Sequence, residues 1–364
     1  MEKTEKKSIM VWQLFVWLFL SRIIILFTVN AQTLGGENLL VLAVSSVLSM
    51  GVTFLLSLPA LYLHARWPGK TICEVGQAAF GEAGAKATAL FYMAFFLIAD
   101  GYYLGDLGLF LVKETDYGSL AWLILALITM AALYCWHKGL QAMARTATLL
   151  AAAIVVGFVL MVPIWIPLAD PARSLPVFYE GIRPLWLGTA ALTARSTRFV
   201  VLLFLLPDTK GRVLRGFVWW NLGVTAAFVV YLLLLAFCLG EYGAAMSYPV
   251  YTLLQLFSYG PFARLDAVFT GGWVMVMILK IGLDQLIFFR CLRVWFPAVR
   301  CRWAVLGVIL TYGAAWLLYQ NPVWHNQVGS TSFFLPVTVV ALTGLPLVLV
   351  AVARWKERSR QHET

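Results

Sequence analysis

The chain has 364 residues, of which 62% are hydrophobic, 15% aromatic and only 12% charged, with a mean hydropathy of +0.84. A soluble domain needs about 25% charged residues to cover its surface, so this composition excludes a soluble enzyme or binding module and implies a multi-span membrane protein. The net charge of +10 admits a nucleic-acid binder only if the basic residues gather on one domain, and they do not.

A helix crosses a bilayer with about 20 apolar residues. On that rule the sequence predicts ten spans, over 10–32, 39–63, 87–112, 118–136, 147–168, 183–206, 215–240, 266–289, 303–320 and 333–353. The basic start, the apolar stretch and "VNA" at 29–31 imitate a signal peptide. The stretch is too long for one and Arg22 interrupts it, so it is expected to stay as span 1. With the N-terminus inside, 19 of the 27 Lys and Arg fall in six short cytoplasmic segments, 4 in outer segments and the rest within spans. That bias predicts cytoplasmic termini and accounts for the net charge without nucleic acid. Trp67, Trp136, Trp303 and Trp324 near span ends fit an interfacial belt.

The expected organisation is a single membrane domain over 1–364. It divides into a first five-helix repeat (10–168), an outer connecting segment (169–182), a second five-helix repeat (183–353) and a basic cytoplasmic tail (354–364). Five spans per half is odd, so the halves enter from opposite sides, as an inverted repeat requires. Transporters built this way break the first helix of each half near the midplane, where freed backbone groups bind ligands. Span 1 carries Ser21-Arg22 mid-span and span 6, "LWLGTAALTARSTRFVVLLFLL", carries Thr193 to Arg198. Neither centre contains Gly or Pro, although Gly188 lies one to two turns upstream, so the sequence shows paired polar interruptions and not unwinding.

Ionisable residues inside the predicted spans are Arg22, Asp100, Asp106, Arg195, Arg198, Lys280 and Asp284. If exposed to lipid they would together cost about 17–25 kcal/mol on insertion scales, so they must face the interior, pair or reach water. Lys280 and Asp284 stand i, i+4 on one face of span 8 and can touch. Arg22, Arg195 and Arg198 come from the two interrupted spans and would converge if the halves pack as expected. They form either an anion vestibule, since Arg suits a carboxylate bidentately, or pairs with Asp100 and Asp106 of span 3. Tyr102 and Tyr103 could line a cavity with Asp100, while Gly101 and Gly105 read as a small-residue packing pattern.

Enzyme motifs are missing from the string. The four histidines are predicted in loops, at span ends or in the tail, and there is no HExxH, nucleophile elbow or P-loop. Asp100 and Asp106 stand about 240° apart around one helix, so they do not form an aspartyl pair. The five cysteines show no CxxC or metal spacing. No enzyme activity, cofactor or metal is expected.

The order of several motifs carries a resemblance. "SYPVYTLLQLFSYGPFARLDAVFTGGWVMVMILKIGLDQLI" (247–287) contains Tyr-Pro, then Gly-x-Phe-x-Arg-x-Asp, then Trp and Leu-Lys-Ile. "WPGKTICEVGQAAFGEAGAKA" (67–87) and "GLQAMARTATLL" (139–150) fit two inner loops, and "IRPLWLGT" and "LLP" fit span 6. In that order the chain resembles the spore germination permease family, the B subunits of germinant receptors, over nearly its whole length.

The resemblance implies an all-α polytopic membrane protein with the amino acid–polyamine–organocation (LeuT-like, five-plus-five inverted-repeat) fold, in the bacterial cell membrane or spore inner membrane. It implies recognition of a small germinant, typically an amino acid, beside receptor A and C subunits in the lipid bilayer. The substrate-site residues this places are Ser21, Arg22, Asp100, Tyr103, Gly188, Arg195, Ser196 and Arg198. In the resembled fold span 8 faces span 1 across a cation site, so Lys280 and Asp284 are either a structural ion pair or an ammonium standing in for a bound cation. The chain departs from the family where a Gly-containing pair becomes Ser21-Arg22 and a Gly-Glu becomes Thr197-Arg198. An acid replaced by Arg reverses the site's sign, which fits a more anionic ligand or a copy without one. A proton-coupled amino-acid transporter and a small-ion conduit are the competing readings.

Overall fold

A computed structural model describes residues 8–27, 38–179, 181–256 and 265–362. It is nearly all helix. Among the described residues nine helices are long and apolar enough to cross a membrane. Span 1 adds a shorter apolar helix, Val11–Phe27. The remainder of the predicted 10–32 stretch lies outside the described residues.

Span 2 is Leu39–Arg66, opened by the Asn38 side chain accepting from the Leu40 amide at 2.8 Å. Span 3 is longer than expected, Ile72–Glu114. Its start is a capping box the sequence spells as "TICE": Thr71 accepts from the Glu74 amide at 3.4 Å and Glu74 accepts from the Thr71 amide at 2.6 Å. The predicted inner loop is therefore helical from Ile72. Gly81, at φ +72°, kinks it before the membrane-crossing part. Spans 4 (Ala121–Lys138) and 5 (Leu140–Trp165) follow. Span 7 is Val213–Ala245, span 8 is Leu265–Trp295 and span 9 is Ala304–Gln320. A short helix, Pro322–Gly329, joins span 9 to span 10. Span 10 runs Thr331–Val339, passes through a π-turn at Val340–Gly344, and continues as Leu345–His362, so most of the predicted tail is helical. Ile9–Met10 pairs in parallel with Thr209–Lys210 and ties the start of span 1 to the end of span 6.

Span 6 is broken. Arg183–Ala194 is α-helical, a turn follows at Arg195 and Ser196, then a 3₁₀ stretch Thr197–Val201 and a short helix Leu202–Leu205. Span 1, in contrast, is helical straight through Ser21-Arg22, and the Ser21 hydroxyl donates back to the Trp17 carbonyl at 3.1 Å. The expected paired interruption is thus a backbone break in one half and only a polar insertion in the other.

Burial sorts the spans into layers. In the most apolar stretch of span 6, 94% of residues are buried, against 17% in span 5 and 28% in span 4. Span 6 is therefore the inner element, and spans 4 and 5 present Leu127, Met130, Leu149 and Val156 outward. Apolar surface gains little by leaving lipid for another helix, so close packing and hydrogen bonds hold such a bundle. Phe199 packs on Trp220 with centroids 5.1 Å apart, and Phe15 lies 5.9 Å from both Phe217 and Trp220. On the other side Tyr92 meets Phe204 at 5.1 Å. These rings clamp the segment after the break. Gly101 sits where a Cβ would lie 2.8 Å from Ala314, so the small-residue pattern on span 3 lets span 9 approach closely.

Candidate functional site

The break in span 6 leaves carbonyls at its helix C-terminus without intrahelical partners, and in a membrane interior other protein groups must satisfy them. Four spans supply donors, three of them to carbonyls. Arg22 of span 1 donates through Nη1 to the Leu192 carbonyl at 3.5 Å and to the Ser196 hydroxyl at 2.8 Å. Tyr103 of span 3 donates to the Arg195 carbonyl at 3.3 Å. Thr338 of span 10 donates to the Ala194 carbonyl at 2.8 Å. Thr53 of span 2 donates to the Ser196 hydroxyl at 3.2 Å. With no Gly or Pro at the centre of the span, this set of long-range donors is what compensates the break.

Beside it lies a four-charge cluster. Lys280 bonds Asp100, and its ammonium lies 3.7 Å from Asp284. Arg198 bonds Asp284 and stands 3.5 Å from Asp100. All four residues are no more than 3% exposed. The Tyr103 ring lies under both cations, with its centroid 4.7 Å from the Lys280 ammonium and 5.9 Å from the Arg198 guanidinium. Two carboxylates and two cations balance, and alternating signs hold spans 3, 6 and 8 together. The i, i+4 contact expected within span 8 is present, yet Lys280 is nearer to Asp100, 180 residues away.

Arg195 points elsewhere. Its Nη2 donates to the Tyr102 hydroxyl at 3.5 Å, and the Tyr102 ring stacks on His325, centroids 4.6 Å apart. His325 Nε2 lies 3.5 Å from Asp106. The pairing of Asp106 with an arginine, one of the two sequence readings, is not what forms: Asp106 is turned away from Asp100 and meets His325 instead. His325 is buried at 4% exposure although it was expected in a loop. The connecting helix Pro322–Gly329 carries it inward. A capping pattern could have found that helix: Asn321 before Pro322, with the Asn321 side chain accepting from the Trp324 amide at 3.2 Å.

Of the sequence-derived candidates, Arg22, Tyr103, Arg195, Ser196 and Arg198 surround the break, and Asp100, Lys280 and Asp284 adjoin it. Ser21 bonds only within its own helix. Gly188 meets span 2: a Cβ there would lie 2.7 Å from the Ser45 hydroxyl, which donates to the Leu185 carbonyl at 3.0 Å. Its role is a close helix crossing. The residues the sequence did not single out are Thr53, Thr338 and His325.

The sequence profile of the spore germination proteins matches residues 11–357. No curated protein matches the chain. That family is of membrane transport and receptor type and not an enzyme class. Its match spans almost the whole chain, and the apolar helices agree with it: the chain belongs to the spore germination permease family and is an integral membrane protein of the cell or spore membrane.

Proposed function

We propose that the protein is the permease-like membrane subunit of a germinant receptor. It recognises a small germinant beside the break in span 6 and passes a conformational signal to A and C partner subunits. In this reading the ten spans form a five-plus-five inverted repeat with both termini cytoplasmic. The observation that carries it is the break itself. Its carbonyls are held by side chains from spans 1, 3 and 10, so any ligand that competes for Arg22 or Ser196 releases one span from another. A ligand can shift a two-state element only through such a difference in contacts. Lys280 and Arg198 occupy the neighbouring position as buried cations paired with Asp100 and Asp284.

The test is germination of spores that carry the chain with Ser196→Val, beside wild type, over a panel of amino acids and small anions. Loss of the response to one germinant, with normal protein level in the membrane, supports recognition at the break. An unchanged response to every germinant overturns it. Proteoliposomes separate the alternative: accumulation of labelled amino acid driven by a proton gradient would make the protein a transporter, and uncoupled, non-saturating ion flux would make it a conduit.

A further inference from the structure

Span 10 does not stop at the end of its apolar stretch. Its helix Leu345–His362 runs without a break from "LPLVLVAVA" into "RWKERSRQH". The apolar run 331–353 is about 34 Å long at 1.5 Å per residue, enough to use up a hydrocarbon core of about 30 Å. The charged turn that begins at Arg354 therefore lies where the helix enters the headgroup layer. That turn is docked on one side. Glu357 accepts from Arg66 Nη2 at 3.1 Å and from the Trp67 indole at 2.8 Å, which ties it to the end of span 2. The Arg354 guanidinium carbon lies 5.5 Å from the Tyr62 ring of span 2. Both oxygens of the one acid in "RWKERSR" are thus occupied, and that acid faces the protein.

The other side of the turn is open. At about 100° per residue, Arg354 and Arg358 stand one above the other, Trp355 and Ser359 follow round the helix, and Lys356 comes next. Glu357 falls on the remaining side, against span 2. Arg354, Lys356 and Arg358 are exposed, and Trp355 is 67% exposed. The open arc therefore carries an indole with two arginines on one flank and a lysine on the other, and no acid. Arg354 to Arg358 cover about 6 Å along the axis, which matches a headgroup layer of about 5–7 Å on each side of the core. Charge and depth select the same occupant. Three cations without an acid need an anion, and the anion at this depth is a lipid phosphate. An indole is at home in the same layer.

We propose that the arc of Arg354, Trp355, Lys356 and Arg358 binds the headgroup of an anionic phospholipid. The two arginines suit a phosphate, since a guanidinium pairs with it through two parallel hydrogen bonds. Lys356 meets the same negative surface from the other flank, and Trp355 sits between them at the level of the lipid glycerol. A zwitterionic lipid offers the same phosphate, but its choline brings a positive charge to a face that is already positive. The bound lipid fixes the end of span 10, and through Glu357 it steadies the junction of spans 2 and 3 at Arg66 and Trp67. This lipid seat is independent of germinant recognition at the break in span 6.

The test titrates the purified full chain in detergent with phosphatidylglycerol or phosphatidylcholine and counts bound lipid by native mass spectrometry. The wild type is expected to bind its first phosphatidylglycerol at least about tenfold more tightly than phosphatidylcholine. The triple variant Arg354→Gln, Lys356→Gln, Arg358→Gln should lose that preference. A control, Lys138→Gln, Arg145→Gln, Arg300→Gln, removes three exposed cations from separate places and should keep it to within about twofold, because distant surface charges are screened. Ser359→Glu adds an acid beside Trp355 and leaves the cations in place, and it should weaken phosphatidylglycerol binding without affecting phosphatidylcholine. If the triple variant does not elute as a single species, Ser359→Glu decides alone. Equal binding of the two lipids by the wild type overturns the assignment. An equal loss in the control shows that only net charge is read, and overturns it. Unchanged preference in the triple variant or in Ser359→Glu leaves the arc free for an acidic protein partner, and overturns it as well.

Discussion

The cluster of Asp100, Arg198, Lys280 and Asp284 and the isolated Arg22 are both buried charge in a membrane protein, yet they are opposite cases. In the cluster each cation meets a carboxylate on another span, and the signs cancel. Arg22 meets a hydroxyl, a carbonyl and a ring, and the three N–H donors on its Nε and Nη2 have no hydrogen-bond partner among the described residues. The difference separates two uses of the same residue types. A compensated cluster is a fastener, because removing any one member leaves the others unbalanced. A cation met only by neutral groups has no carboxylate to leave unbalanced when it is removed. Burial alone would have graded the two alike.

Reversing one sign in the cluster should break it most severely. Arg198→Glu puts a third acid beside Asp100 and Asp284 with one lysine left, and should lower the apparent Tm in detergent more than any other single change here. Lys280→Ala leaves the arginine against two acids. Removing one partner of a buried pair costs about 3–5 kcal/mol, so thermal unfolding should fall clearly below wild type. The double variant Lys280→Met, Asp100→Leu takes out one charge of each sign and should recover most of that loss. Recovery would show that balance, and not each charge, is what the bundle needs.

Smaller effects probe the other side. Thr338→Val removes one donor from the break in span 6. Interhelical hydrogen bonds in membranes average about 0.6 kcal/mol, and a loss of that size is expected in a reversible unfolding titration. Arg22→Gln should also change stability little, within about 1 kcal/mol, because it removes a charge without a carboxylate partner along with one good hydrogen bond. A drop from Arg22→Gln as large as that from Lys280→Ala would erase the contrast and make Arg22 another fastener.

Much of the architecture was readable in one dimension because a bilayer demands it. Length and apolarity predict the spans, and the cost of charge in hydrocarbon predicts that Arg22, Asp100, Lys280 and Asp284 are buried and not lipid-facing. The i, i+4 spacing predicts the Lys280–Asp284 contact. The capping box at Thr71 is also spelled in local sequence, but the segment is expected as an inner loop, and the helical start at Ile72 corrects that expectation.

The remainder was decided by residues far apart in the chain. Lys280 prefers Asp100 over its helical neighbour because spans 3 and 8 meet side by side, and no spacing rule covers 180 residues. Span 6 breaks at Arg195 and span 1 does not at Arg22, although both interruptions look alike as strings. The difference is that Tyr103, Thr338 and Arg22 converge on the carbonyls of one and not the other. His325 leaves its connecting segment for the interior because Tyr102 and Asp106 wait there. The sequence by itself determined which residues must avoid lipid, since that follows from the transfer cost of each side chain. Only the tertiary structure decided which partner each one found, since partners are set by which helices touch.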